Sequence, residues 1–157
     1  DGVMNLDARV LFYYNAGGVT PAMAATRAGV GSDYALAMLD SDDKPFYGDR
    51  TYRLHLPPDV PVNNFWAVTL YDTQTRTQLQ TGQLFPTVGS QSEGIKKNSD
   101  GSYDVYFAPQ APEGNEGNWL QTVPGKSWFA ILRMYGPMEP WINKSWRPGD
   151  IELVKKM

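Results

Sequence analysis

The chain has 157 residues, 41% of them hydrophobic and 20% charged, with a net charge of −3 and no cysteine. That length suits one domain with a core of its own and leaves little for a second. The charge balance excludes the concentrated basic face that a nucleic-acid binder needs, and the missing cysteine excludes thiol nucleophiles, disulfides and thiolate metal sites.

No apolar run approaches the roughly 18 residues of a membrane span, so no membrane span is expected. The start at Asp1 carries no basic region followed by an apolar stretch, and it reads as a piece of a longer parent. Leu6, Val10, Tyr13 and Tyr14 recur at helical spacing behind Asn5 or Asp7 as a cap, and Gly17-Gly18 ends that run. Thr20-Pro21 then reads as an N-cap with proline at the first helical position, opening a short helix through Met23 to Arg27. Residues 1–31 are therefore expected to form a short helical lead-in to a β domain over 32–157.

Beyond Gly31 the hydrophobic period changes to two. Strands are predicted over Tyr34–Leu39, Thr51–Leu56, Phe65–Tyr71, Tyr103–Phe107, Trp128–Tyr135 and Ile151–Val154, with Arg76–Gln80 as a further candidate. Asp40 to Asp43, Pro57-Pro58, Ser99-Asp100-Gly101 and the Gly/Pro-rich stretch from Pro109 to Asn118 separate them. Many short strands without intervening helices point to an antiparallel sandwich or barrel. Alternation puts Trp128, Ala130, Leu132 and Met134 on one face and Phe129, Ile131, Arg133 and Tyr135 on the other. In the same way Tyr52, Leu54 and Leu56 oppose Arg53 and His55.

Several stretches imitate chemistry. Pro124-Gly125-Lys126-Ser127 ends like a phosphate-binding loop, but such a loop needs a glycine where Leu120 stands, and a helix rather than a strand after it. It reads as a hairpin turn. His55 is the lone histidine, so a triad would have to use it, yet no Gly-x-Ser-x-Gly elbow is present. Asp40, Asp42 and Asp43 open like a calcium loop, but Lys44-Pro45 follow and the twelfth position is Thr51, which favours a solvated hairpin tip. No metal site and no cofactor are expected. Asp72 and Arg76 either pair across a turn, or Arg76 offers its guanidinium fork to an anion. Trp141 and Trp146 either close the end of the sandwich or stand exposed to stack on sugars, and Asn143-Lys144-Ser145 fits the glycosylation pattern.

In order along the chain, Thr51-Tyr52-Arg53-Leu54 with Pro57-Pro58, "FWAVTLYDTQTR", "GSYDVYFAP", "NWLQTVPGK", "LRMYGP" and "WRPGDIE" resemble the domain of unknown function 1214. The resemblance runs from about Thr20 to Glu152. It implies a mainly β, antiparallel, jelly-roll-like β-sandwich with a short helical lead-in. It also implies a bacterial parent, periplasmic or secreted, in which a domain of unknown function 1254 precedes this one. The family supplies no agreed activity and hence no catalytic residues.

The expected function is a non-catalytic module that binds a small-molecule or saccharide ligand, or docks its N-terminal companion domain or sister subunits in a homo-oligomer. The alternatives are part of a hydrolase-like enzyme completed by that companion, and an oligomer-assembly scaffold. Arg53, His55, Asp72, Arg76, Arg133 and Tyr135 are the candidate ligand-binding residues.

Overall fold

The computed structural model describes residues 5–12 and 25–154. Helix α1 (Leu6–Phe12) carries the helical spacing expected of the lead-in, and the Asn5 side chain accepts the amide of Ala8 at 2.9 Å as its cap. Tyr13, Tyr14 and the expected helix start at Thr20-Pro21 lie outside the described residues. Arg27, placed at the end of that helix by its sequence, instead bridges Val30 around a tight turn.

Among the described residues nine strands follow: β1 (Ser32–Ala37), β2 (Phe46–Tyr47), β3 (Tyr52–Leu56), β4 (Val62–Asp72), β5 (Thr87–Gly89), β6 (Tyr103–Ala108), β7 (Trp119–Gln121), β8 (Ser127–Pro137) and β9 (Ile151–Leu153). A short helix α2 (Glu139–Ile142) sits between β8 and β9. The larger sheet has the order β1-β8-β4-β5, with β2 also paired to β8, and the smaller has the order β7-β6-β3-β9. Successive strands switch sheets at most connections, so the chain crosses repeatedly between the two layers.

Periodicity dictates which faces meet. Trp66, Val68, Leu70, Trp128, Ala130, Leu132 and Met134 of the larger sheet are buried against Tyr52, Leu54, Leu56, Val105, Phe107 and Leu120 of the smaller. Burying such side chains contributes about 1.5–3 kcal/mol each before the entropy of ordering them is subtracted. The mainly β sandwich expected from the sequence is the fold observed.

Further features depart from the sequence reading. The β6–β7 pair is parallel, because the Pro109–Asn118 stretch is a return connection rather than a hairpin loop. Arg76–Gln80 is no strand. The Asp72 carboxylate accepts the amides of Gln74 and Thr75 at 2.8 and 3.2 Å, Arg76 has a positive φ of 63°, and only a single bridge, Tyr71 to Gln78, remains. The turn at Pro124-Gly125-Lys126 is a turn but not a hairpin, since it carries the chain from β7 in one sheet to β8 in the other.

At the acidic tip, Asp40 is buried rather than solvated, and its Oδ1 accepts the amides of Asp42 and Lys44, both at 2.9 Å. This holds a short excursion closed by the Leu39–Pro45 bridge, after which β2 resumes beside β8. Trp141 is buried and donates its indole N–H to Asp33 at 2.8 Å, while Trp146 donates to the Pro58 carbonyl at 3.1 Å. Both tryptophans close the sandwich end instead of offering a stacking platform. Burial works against the charge of Asp33, but hydrogen bonds from Trp141, Tyr34 and Thr26 outweigh it and hold its carboxyl below the ordinary range.

Candidate functional site

The six candidate residues do not meet in one pocket. Arg53 and His55 lie on the outer face of the smaller sheet, Asp72 ends β4, Arg76 sits on the turn beyond it, and Arg133 and Tyr135 lie on the outer face of the larger sheet. Three local arrangements result.

On the smaller sheet, β3–β6 pairing sets His55 opposite Asp104. The ring Nδ1 lies 2.9 Å from Asp104 Oδ1, and Asn98 donates to the other carboxylate oxygen at 3.0 Å. Asp104 was not a candidate from the sequence, because only the strand register reveals the pair. This is a base with its orienting carboxylate, yet among the described residues the ring has no hydrogen bond to a nucleophile. Arg53 pairs with Glu152 at 3.2 Å across β3–β9, on side chains roughly half exposed. Such a pair contributes about 0–1 kcal/mol and organises no ligand.

At the end of β4, Asp72 pairs not with Arg76 but with Lys126, the lysine of the Gly-Lys-Ser turn, at 2.9 Å. The Lys126 hydrogen bond, followed by those from Gln74 and Thr75, lowers the Asp72 carboxyl to about 2. Asp72, Gln74 and Lys126 line a cavity of about 470 Å³ with Tyr47, Asp49 and Ser127. With two carboxylates and one ammonium in the lining, it has no excess positive charge for phosphate. Because the folded-state pKa of Asp72 lies below its unfolded value, its stabilisation is complete above about pH 4. It is lost as pH falls toward about 2. Asp72→Asn is accordingly expected to lower Tm at neutral pH and to flatten the fall of Tm between those limits. Melts of both proteins across that range check it, and parallel curves would refute it.

The third arrangement is continuous. Cross-strand register puts Tyr34, Arg133 and Ala67 in one row of the larger sheet, with Tyr135–Phe65 on one side and Phe129–Tyr71 on the other. Arg76 lies over the Phe129 ring at 5.6 Å, and Phe129 stacks on Tyr71 at 5.2 Å. Arg133 lies over Tyr71 at 5.9 Å and donates to its hydroxyl. Tyr135 stacks on Phe65 at 4.1 Å. Burial works against the Arg133 charge, but hydrogen bonding with Tyr135 and the fields of Tyr71 and Tyr34 more than restore it. Among the described residues neither Arg76 nor Arg133 has a carboxylate within ion-pair distance, and Arg133 Nε is buried without a partner. The stripe gathers three candidates, Arg76, Arg133 and Tyr135, with three aromatics the sequence reading passed over as site residues. Alternation gave Phe129 its face; only the β4–β8 register sets Tyr71 beside it.

Among the described residues no group of three or more His, Asp or Glu converges to hold a metal ion, and no helix is long and apolar enough to cross a membrane. The molecule is thus defined as a two-sheet, mainly β sandwich with a cation–aromatic stripe on the outer face of its larger sheet. A model of the family described as a protein of unknown function, DUF1214, matches residues 31–139, and the chain belongs to that family. The crystal structure of the VPA0106 protein from Vibrio parahaemolyticus is similar over 91% of this chain, with a TM-score of 0.69 and 24% identity. That of a putative uncharacterized protein from Burkholderia cenocepacia is similar over 93%, with a TM-score of 0.51 and 14% identity. The chain spans only 34% and 39% of those two longer proteins. No curated protein matches the sequence.

Proposed function

We infer that this domain is a non-catalytic docking module, and that the outer face of its larger sheet seats an acidic surface of a companion polypeptide region. The observation that carries the reading is the stripe of Arg76, Phe129, Tyr71, Arg133, Tyr135 and Phe65 without an acidic partner among the described residues. Arginine and aromatic side chains are the residues most enriched at the energetic centres of protein interfaces, whereas aspartate, glutamate and lysine are depleted there. On this face Phe65, Tyr71, Arg133 and Tyr135 are part-exposed around a buried Phe129. A two-fold contact of this face with itself would bring together two arginine-bearing surfaces without acidic partners, so the occupant is a different surface.

The length of the solved relatives supports a companion region within one longer chain. A preceding domain of the 1254 type and a bacterial, periplasmic or secreted setting complete the proposal, and both rest on the motif resemblance. The hydrolase-like reading is less favoured, because its candidate residues are divided between opposite faces.

Hydroxyl-radical footprinting tests the docking. Labelling of Tyr34, Tyr71 and Tyr135 is expected to be several-fold lower in the full translated product of the gene than in this 157-residue chain. The double variant Arg76→Asn, Arg133→Met is expected to restore it. Asparagine is chosen because it tolerates the positive φ at that turn. Equal labelling of the two proteins, or a full product with no further region, overturns the reading.

A further inference from the structure

A second feature lies away from the arginine face, at the open edge of the sandwich. Strands β1 and β9 end their respective sheets, and neither has a partner on its outer side among the described strands. Between them a cavity of about 430 Å³ opens to solvent and reaches the core. Its floor is Leu54, Val68, Leu132 and Ile151, all buried, contributed by both sheets. Room exists there because the inward positions nearest the edge are Ala35, Ala37 and Ala130, where neighbouring inward positions carry leucine, methionine or tryptophan. At the mouth Leu36, Met38 and Leu39 stand exposed.

We propose that this cavity binds the apolar tail of a single-chain amphiphile whose head group is neutral or cationic. The volume lies in the range of small-molecule sites, about 300–1,000 Å³, and the lining is apolar as such sites require. Charge complementarity fixes the head. Asp150 is the one ionisable residue of the lining, and it is exposed with no ion pair among the described residues. The backbone bond from Ser41 to the Ile151 carbonyl, 3.0 Å, brings the acidic Asp40–Asp43 loop beside the same rim. Lys44 is engaged there by Asp42 at 3.8 Å, and Arg147 lies outside the lining. A carboxylate head would therefore meet like charge, whereas an ammonium or hydroxyl head would not.

Titration of this chain with decyltrimethylammonium, below its micelle-forming concentration, tests the proposal by methyl NMR. Saturable shifts are expected at Leu54, Val68, Leu132 and Ile151. Decanoate is expected to bind more weakly, and Asp150→Asn should narrow the gap between the two probes by a few-fold, as for an exposed charge pair. Ala35→Leu fills the cavity and is expected to weaken binding at least tenfold while Tm is unchanged or raised. Ala37→Leu gives the same reading should the first variant fail to fold. Absence of saturable binding, tighter binding of decanoate, shifts confined to other methyls, or wild-type affinity in the filled variant each overturn it. None of these outcomes bears on the arginine face, so this site and the docking reading stand or fall separately.

Discussion

Replacing Trp128 by alanine is expected to lower the stability of this domain by about 3–5 kcal/mol. At about 2–4 °C per kcal/mol for a chain of this size, Tm should drop by roughly 6–20 °C. The ring is fully buried and stacks on Phe46 at 4.2 Å with an interplanar angle of 11°. It also contacts Phe107 at 4.9 Å and Tyr52, edge-on, at 5.5 Å. Phe46 belongs to the larger sheet and the other two to the smaller, so one side chain joins both layers. Alanine would remove that joint and leave a cavity that the paired strands cannot collapse.

Trp128→Phe provides the sharper comparison. The indole N–H is buried without a hydrogen-bond partner, and such an orphan donor costs about 1–3 kcal/mol. Phenylalanine discards the orphan and retains most of the stacking, so it should recover at least half of the alanine loss. Thermal melts of the two variants check this. Equal losses would mean that ring size alone, not the unpaired donor, governs the site.

Much of this core was legible because alternation is a local property. Tyr52, Leu54 and Leu56, like Trp128 to Met134, declare their face in the sequence and occupy it in the fold. Strands β2, β5 and β7 were not predicted: each has only two or three residues, like β9, which its branched Ile151 and Val154 marked in the sequence. Register was not legible either. Nothing in the sequence sets Asp104 opposite His55, or brings Arg76 and Arg133 onto one aromatic stripe, because both depend on pairing between distant segments. The Asp72 partner illustrates the same limit. Arg76 is nearer along the chain, but the turn sends its guanidinium over Phe129 and leaves the carboxylate to Lys126.

The Gly-Lys-Ser turn that imitates a phosphate loop is held by a close backbone contact at Gly48. A Cβ at Gly48 would lie 1.9 Å from the carbonyl oxygen of Val123. That oxygen belongs to backbone, so it cannot swing aside as a side chain would. The loop after β2 is also bonded to the turn: Gly48 donates to the Lys126 carbonyl at 2.9 Å, and Thr122 Oγ1 donates to the Gly48 carbonyl at 2.8 Å. Gly48→Ala must push the two segments apart and break both bonds, and is expected to cost about 3 kcal/mol or more. Gly125→Ala, in the same turn, is the control. Its φ of 80° is unfavourable for alanine but nothing lies within 4 Å of the added carbon, so only about 1–2 kcal/mol should be lost. Displacing the turn also carries Lys126 away from Asp72. Gly48→Ala should therefore flatten the acid limb of the Tm curve as Asp72→Asn does, whereas Gly125→Ala should leave more of it in place. A Gly48→Ala protein melting like wild type, or keeping the full acid limb, would show that the turn stands without this contact.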